Sequence, residues 1–175
     1  MDDADMNANA RKSVEYQVGG FVISAFSSTT HAFMGSADLE GAVLCHANFA
    51  HSLFAHSNLV GADFSSANLV DVDFEVADLS GAKLKYANLA VANLRNANLA
   101  GANLKGANFA FANLTGANLK GAQLKGANFA HANFEYAELA EVDFSEANIE
   151  GASFLYADLT NTKFPDFKSI KGAQN

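Results

Sequence analysis

One five-residue word dominates the sequence and restricts what the chain can fold into. From Leu39 to Phe164 a large apolar residue occupies every fifth position, which gives 26 consecutive words. The residue two positions before it is alanine in 21 words, and the exceptions are Ser52, Ser57, Val72, Val142 and Thr162. Five residues advance an α-helix by about 140°, so these positions would form no stripe on it. A continuous strand would send successive large residues to opposite faces.

A bend between words removes this conflict. Within one word the alanine and the large residue are two positions apart, so they share one face of a short extended segment. A bend would return the next pair to the same interior, and the chain would close into a coil. Longer periods indicate its size, because glycine begins the words at 41, 61, 81, 101 and 121. Twenty residues are four words, so the sequence predicts a four-sided coil.

A second series with the same period lies on the outside of the coil. Asparagine recurs every twenty residues, at Asn48, Asn68, Asn88, Asn108, Asn128 and Asn148. Stacked strands lie about 4.8 Å apart. We therefore expect these side chains to form an amide ladder, each bonded to its neighbour one coil away.

The words ADLEG (37–41), ANLKG (103–107 and 118–122) and ANFAH (127–131) resemble the pentapeptide-repeat family, whose motif is A(D/N)LXX. The resemblance covers residues 36–165. It implies an all-β fold, a right-handed quadrilateral parallel β-helix of about 6.5 coils of 20 residues. Function varies among members of such a family, so the resemblance predicts the fold much better than the activity.

The two ends of the chain depart from the word pattern. Residues 1–35 are predicted to be an N-terminal capping segment. Within it, Ser13–Phe26 has the alternation of a hairpin around Gly-Gly, although Phe21 and Phe26 could instead begin a degenerate coil. Residues 166–175 are predicted to be a C-terminal cap and tail, with Phe164, Pro165, Phe167 and Ile170 as the apolar part.

Composition limits the function classes. A single cysteine, Cys45, excludes an internal disulfide. The N-terminus lacks the basic-then-apolar order of a signal peptide, which predicts a cytoplasmic protein, although a trimmed exported chain would look the same. No apolar run is long enough to cross a membrane. The net charge of −8 argues against general nucleic-acid binding.

The interior and the flat outer faces offer no catalytic site. The inward slots are almost entirely Ala, Leu and Phe, and outward acids lack a cleft that would desolvate them. His46, His51 and His56 begin successive words and so lie at different corners, about 10 Å apart. That separation is too large for one zinc ion. We therefore predict no enzyme activity, metal, cofactor or small-molecule substrate, and treat a Cys45–His46 metal site between two molecules as the weaker reading.

An exposed apolar strip is the first candidate partner surface. Phe109 fills the large slot of its word, whereas Phe111 opens the next word at a corner and should face water. Beside the asparagine series, the outward slots and the adjoining corner hold six apolar residues: Val70, Ala90, Val91, Ala110, Phe111 and Ala130. A continuous apolar strip on a flat sheet suits docking against another protein. Tyr136 and Tyr156, near Leu155, form a smaller exposed pair.

Charge is banded along the chain. Seven acids and no base lie between Asp38 and Asp78, six bases and no acid between Leu79 and Phe134, and seven acids and no base between Glu135 and Asp158. Lys85, Lys105 and Lys125 share one column with Lys83 beside them. These lysines are a candidate face for an anion or an acidic partner, although lysine stems also simply cover exposed sheets.

The sequence favours a non-enzymatic structural or interaction protein that binds protein partners through flat β-helix faces, with a second copy of itself as one candidate. The alternative comes from the family resemblance, because members include quinolone-resistance proteins that imitate DNA and engage bacterial type II topoisomerases. The positive band between residues 79 and 134 interrupts a DNA-like negative stripe and argues against this alternative.

Overall fold

Successive turns of the chain lie one on another with a period of twenty residues. The structure, a computed structural model, describes residues 16–18, 21–23 and 28–165. Isolated parallel bridges join one residue of a word to the residue twenty positions later, beginning with Ser28–Asn48 and ending with Asp143–Lys163, and only the step from Gln123 to Asp143 lacks one within residues 28–163. Four such bridge positions occur in each twenty residues. The pairing therefore has the four-sided period that the words predict.

A tight turn separates each word from the next. The N–H of Ala42 donates to the carbonyl of Leu39 at 3.0 Å, and the same bond recurs at every word boundary up to Thr162. The residue that opens a word, which we call the corner residue, has positive φ, as in Gly41 (66°) and Phe111 (61°). This sign at the third residue of a turn returns the chain to the interior. Between residues 31 and 161, Glu146 is the one corner residue that does not have a positive φ.

The interior is a continuous apolar column. Phe109 is fully buried, and its ring stacks on Phe129 with centroids 4.9 Å apart. Alanines fill the smaller slot beside each large residue, because the turns bring both inward positions of every word to the same axis. Two slots filled by other small residues, Ser52 and Ser57, bury hydroxyls that donate to the backbone carbonyls of Thr29 and Phe54.

The word pattern starts at residue 36, but the coil geometry begins earlier in the chain. Met34 fills a central slot and is 3% exposed, and bridges already include Ser28 and Phe33. The sequence concealed this word because methionine replaces leucine or phenylalanine. At the other end Phe164 is partly buried and stacks on Phe144, with centroids 5.9 Å apart.

Two short strands precede the coil. Strand β1 (Tyr16–Val18) pairs antiparallel with β2 (Phe21–Ile23), with Tyr16 opposite Ile23. This antiparallel pairing agrees with the predicted hairpin more than with a degenerate coil at Phe21. The predicted cap residues Phe26, Phe167 and Ile170 lie outside the described residues. Within the described ranges there is no helix long and apolar enough to span a bilayer.

The backbone hydrogen bonds between successive coils, which we call the backbone ladder, are interrupted between residues 121–126 and 140–146. We call this region the ladder gap. The N–H groups of Gly121, Leu124 and Asp143 lack the inter-coil bonds that equivalent residues make elsewhere in the described coil. The N–H of Gly126 reaches the carbonyl of Glu146 instead of the preceding residue, because the corner at Glu146 has a different turn. A cleft of about 250 Å³ opens here.

Candidate protein-binding faces

The side that carries the asparagine series, which we call the asparagine face, is saturated with internal hydrogen bonds. Its words begin at residues 46, 66, 86, 106, 126 and 146. Four amide groups donate from Nδ2 to the Oδ1 of the asparagine one coil earlier, at 2.8–3.0 Å: those of Asn68, Asn108, Asn128 and Asn148. The expected amide ladder is thus present at four of its five steps; within residues 28–165 no such bond joins Asn88 to Asn68. Its bonds hold the face flat and rigid.

The apolar strip lies along one margin of this face. Val70, Ala90, Ala110 and Ala130 are half-buried, and their methyl groups form its floor. The N–H of Ala110 donates to Asn108 Oδ1 at 3.2 Å, and the carbonyl of Ala110 accepts from the N–H of Val91 at 2.9 Å. The backbone N–H groups of the strip are therefore all bonded within the protein. Covering them with a partner would leave few unsatisfied groups.

Phe111 stands at the corner beside the strip and faces solvent. Its side chain is 62% exposed, and that of Val91, one coil earlier, is 55% exposed. The Phe111 ring stacks on the ring of His131, with centroids 4.9 Å apart and an interplanar angle of 16°. The His131 ring in turn lies over Gly151. Each corner side chain therefore leans toward the next coil, and the stack holds Phe111 in place.

The lysines divide into two groups. The ammonium of Lys83 lies 3.6 Å from Asp63, and that of Lys125 lies 2.8 Å from Glu146. Partial burial opposes ionisation of Asp63, but hydrogen bonds from Ser65 and the charge of Lys83 outweigh it, so the pKa of Asp63 falls below its usual value. Lys85 instead lies over the ring of Tyr86, at 4.9 Å from the centroid.

Lys105 is half-buried, and within residues 28–165 its ammonium pairs with no carboxylate. The four lysines of the predicted face therefore differ in whether a carboxylate already pairs with them. Asp63 pairs with Lys83 and Glu146 pairs with Lys125, whereas the ammonium groups of Lys85 and Lys105 have no carboxylate partner within residues 28–165.

The tyrosine pair and the histidines stack in the same way as Phe111. Tyr136 and Tyr156 lie with ring centroids 5.1 Å apart, and both are exposed. His31 stacks on His51 at 5.2 Å, and His51 Nδ1 lies 2.9 Å from Asp71 Oδ2. These contacts are fixed by the twenty-residue register, which places each corner residue over its counterpart in the next coil.

The predicted metal-type residues occupy separate columns. His46, His51 and His56 lie on three different corners of the coil, as their five-residue spacing requires. The described residues contain no group of three His, Cys, Asp or Glu side chains that could hold a metal ion. Burial, followed by the charge of Asp63, raises the pKa of the Cys45 thiol. The neutral thiol is a weak nucleophile.

Three features were missed by sequence reasoning. Phe33 is 80% exposed and pairs with the partly exposed Leu53 near the start of the described coil. Tyr86 projects beside the lysines, over Gly106. The ladder gap, at Gln123, interrupts a face that looks regular in sequence. For Tyr86 a signal existed, because residues 86, 106 and 126 read as a column are Tyr, Gly and Gly.

Solved structures with the same architecture include QnrB1, a plasmid-mediated fluoroquinolone resistance protein. One trypsin-treated form is 20% identical with a TM-score of 0.65, covering 86% of this chain and 80% of that chain. A second is 19% identical with a TM-score of 0.64, covering 86% and 84%. The full-length form is 20% identical with a TM-score of 0.57, covering 85% and 81%. These likenesses concern the fold, a right-handed β-helix.

The comparison with curated proteins finds no match. The family model for pentapeptide repeats matches in eight copies, over residues 30–59, 57–90, 92–130 and 127–164. Its first match begins at residue 30, in agreement with the early start of the coil at Ser28. Together the matches span most of the chain. The chain therefore belongs to the pentapeptide-repeat family.

Proposed function

We propose that this protein is a non-catalytic interaction protein that binds another protein through the apolar strip and the Phe111 corner. One observation carries the proposal: the strip combines exposed apolar side chains with backbone N–H groups that are already hydrogen-bonded. A partner that covers it gains apolar contact at little desolvation cost. The proposal treats the 26 words as a rigid rod of about 6.5 coils, so the surface needs no rearrangement to bind.

Phe111 is the expected centre of this interface. Aromatic side chains dominate binding energy when they are buried at the middle of an interface and ringed by weaker contacts. From Val70 to Ala130 the strip spans three coil steps, or about 14 Å at the usual strand spacing. A stable interface covers about 800 Å² on each partner. The strip is therefore the core of a larger contact that includes the neighbouring face.

A pair of matched substitutions tests this function. Phe111→Asp and Tyr156→Asp each replace an exposed, stacked aromatic residue at a corner with positive φ. Phe111→Asp should reduce affinity capture of partners at least tenfold, whereas Tyr156→Asp should leave capture intact. Val91→Asp and Val76→Asp form a second pair with the same logic, because both valines are exposed corner residues.

Self-association is one form of the proposal and has its own measurement. Sedimentation equilibrium of the wild type and of Phe111→Asp, from low to high salt, would detect a dimer that depends on the strip. If the wild type is monomeric throughout and Phe111→Asp captures every partner as well as the wild type, the strip is not a binding surface.

A second candidate function is inhibition or protection of a bacterial type II topoisomerase. The fold shared with QnrB1 is the observation that favours it. The six bases between residues 79 and 134 oppose it, because a DNA mimic needs a continuous negative face. A gyrase supercoiling assay decides the matter. No change in supercoiling at micromolar protein would remove this candidate.

A further inference from the structure

A notch in the surface accompanies the lysine column. Lys85, Lys105 and Lys125 lie one coil apart, next to the corner residues Tyr86, Gly106 and Gly126. Gly106 and Gly126 contribute no side chain, and the space at Gly126 is open. Tyr86 closes one end, because its ring lies over Gly106. The result is a notch of about 420 Å³ between a tyrosine ring and a row of ammonium groups.

We propose that this notch, which we call the lysine notch, binds a short acidic peptide segment of a partner protein. The site is separate from the apolar strip, and the inference does not depend on the strip. The coils that carry these lysines lie about 5 Å apart, so the like charges of the column repel one another. Of the three, Glu146 neutralises Lys125, while Lys85 and Lys105 have no carboxylate within 4.0 Å in the described part of the chain. Two carboxylates from a partner would relieve that repulsion.

The surroundings select a peptide over a longer polyanion. Acidic bands lie on both sides of the basic band, and the net charge is −8, so a nucleic acid running along the rod would meet repulsion at both ends. Lys85 and Lys105 start one coil step apart, or about 5 Å. An extended peptide places alternate side chains on one face about 7 Å apart. The long lysine stems can bridge that difference, so two acidic residues separated by one residue can each reach one of the two ammonium groups.

The tyrosine gives the notch a second recognition element. The Tyr86 side chain is 62% exposed, lines the notch and places one edge of its ring over Gly106. The Lys85 ammonium lies 4.9 Å from the centroid of the same ring, a cation–π contact that holds this charge beside the notch. A partner side chain can thus pack its stem on the ring while its carboxylate reaches Lys105.

The test uses a fluorescein-labelled decapeptide with aspartate at alternate positions, and the same peptide with asparagine as a control. Fluorescence anisotropy should show salt-sensitive binding of the aspartate peptide and weaker binding of the asparagine peptide. Lys105→Gln should weaken binding about tenfold, the effect of losing one charged hydrogen bond. Lys120→Gln, an exposed lysine on another side, should leave binding unchanged.

A glycine pair tests the shape of the notch independently of charge. Gly126 and Gly101 both have positive φ, and an added Cβ meets nothing within 4 Å at either position. Asparagine tolerates this backbone conformation. Gly126→Asn should obstruct the notch and weaken binding severalfold, whereas Gly101→Asn should not. Equal binding of the two peptides, or equal binding by Lys105→Gln and the wild type, would overturn the proposal. So would tighter binding of a short DNA duplex than of the aspartate peptide.

Discussion

Two stretches of the same side of the coil show what holds the ladder together. Where residues 81–86 meet 100–105, four inter-coil bonds form, including Leu84 N to Asn103 O at 2.8 Å and Asn103 N to Ala82 O at 2.9 Å. In the ladder gap, two coils later, three of the four equivalent bonds are missing and the fourth is shifted by one residue. Leu84 and Leu124 are nonetheless both buried. Two coils with equally buried core residues can therefore differ in the number of backbone hydrogen bonds between them.

The two stretches differ in an outward residue and in one corner turn. In a regular word the third residue is Asn or Asp, and its Oδ1 accepts from the N–H two residues later, as Asn103 does from Lys105 at 3.3 Å. Gln123 makes no such bond, but Lys83 in the regular stretch makes none either and its ladder is intact, so this loss alone does not open the gap. Val142 also fills a slot that usually holds alanine, but Val72 does the same without disturbing its ladder. Bulk alone is therefore not the cause, and the altered turn at Glu146 is needed as well.

The largest expected effect compares core truncation on the two sides of the ladder gap. Leu104→Ala should cost about 3–5 kcal/mol, because the bonded coils around it cannot close the cavity. Leu124→Ala should cost about 2–3 kcal/mol, because the coils beside it are already free to move. Equilibrium denaturation of both variants measures the difference. Equal losses of unfolding free energy would show that the coils at the ladder gap do not move to close the cavity.

Hydrogen exchange compares the two regions without mutation. The amides of Leu124 and Asp143 should exchange at least about 100-fold faster than those of Leu84 and Asn103, because the former have no acceptor in the ladder. Exchange followed by NMR in the native state measures each amide separately. Similar protection at the four amides would mean that the ladder closes in solution.

A single substitution should repair part of the gap. Gln123→Asn shortens the side chain by one methylene, so its Oδ1 can accept from the N–H of Lys125 as Asn103 accepts from Lys105. We expect stabilisation of about 0.5–1.5 kcal/mol, the usual net value of one hydrogen bond. The reverse change, Asn103→Gln, should lose a similar amount. A Gln123→Asn variant no more stable than the wild type would assign the gap to the Glu146 turn alone.

The smallest effect is a pKa difference at the edge of the gap. Hydrogen bonds from the Ser145 hydroxyl and then its N–H lower the pKa of Asp143. A lowered folded pKa means that the carboxylate stabilises the fold above its unfolded value, near 4, and that this contribution is lost as pH falls through the folded pKa. In Ser145→Ala the NMR titration midpoint of Asp143 should rise. That of Asp158, which Thr160 lowers in the same way, should not change.

The interior was predictable because its rule is local and repeated. The five-residue word predicted Phe109 as buried, and the twenty-residue series predicted the asparagine ladder and the exposure of Phe111. The early start of the coil was missed because Met34 replaces the expected residue. Methionine fills the same volume, so packing accepts a residue that the pattern does not contain.

The candidate surfaces were predictable only in part. The column of Lys85, Lys105 and Lys125 follows from spacing, but spacing does not indicate which carboxylate reaches which ammonium. The notch depends on the direction in which the Tyr86 ring leans, and that direction is set by the corner conformation. The ladder gap depends on an altered turn at Glu146, which cannot be predicted from the apolar pattern because that pattern is regular there.

The vertical stacking of corner residues has a consequence for how such a protein can change in length. Removal of one five-residue word would leave every large residue inside, because each word supplies the same pair to the core. All later columns, however, would rotate by a quarter turn, so that Lys125 would no longer continue the row of Lys85 and Lys105, and the amide ladder would be cut. Loss or duplication of twenty residues would preserve both. The interior accepts any number of words, whereas the surface accepts them only in fours.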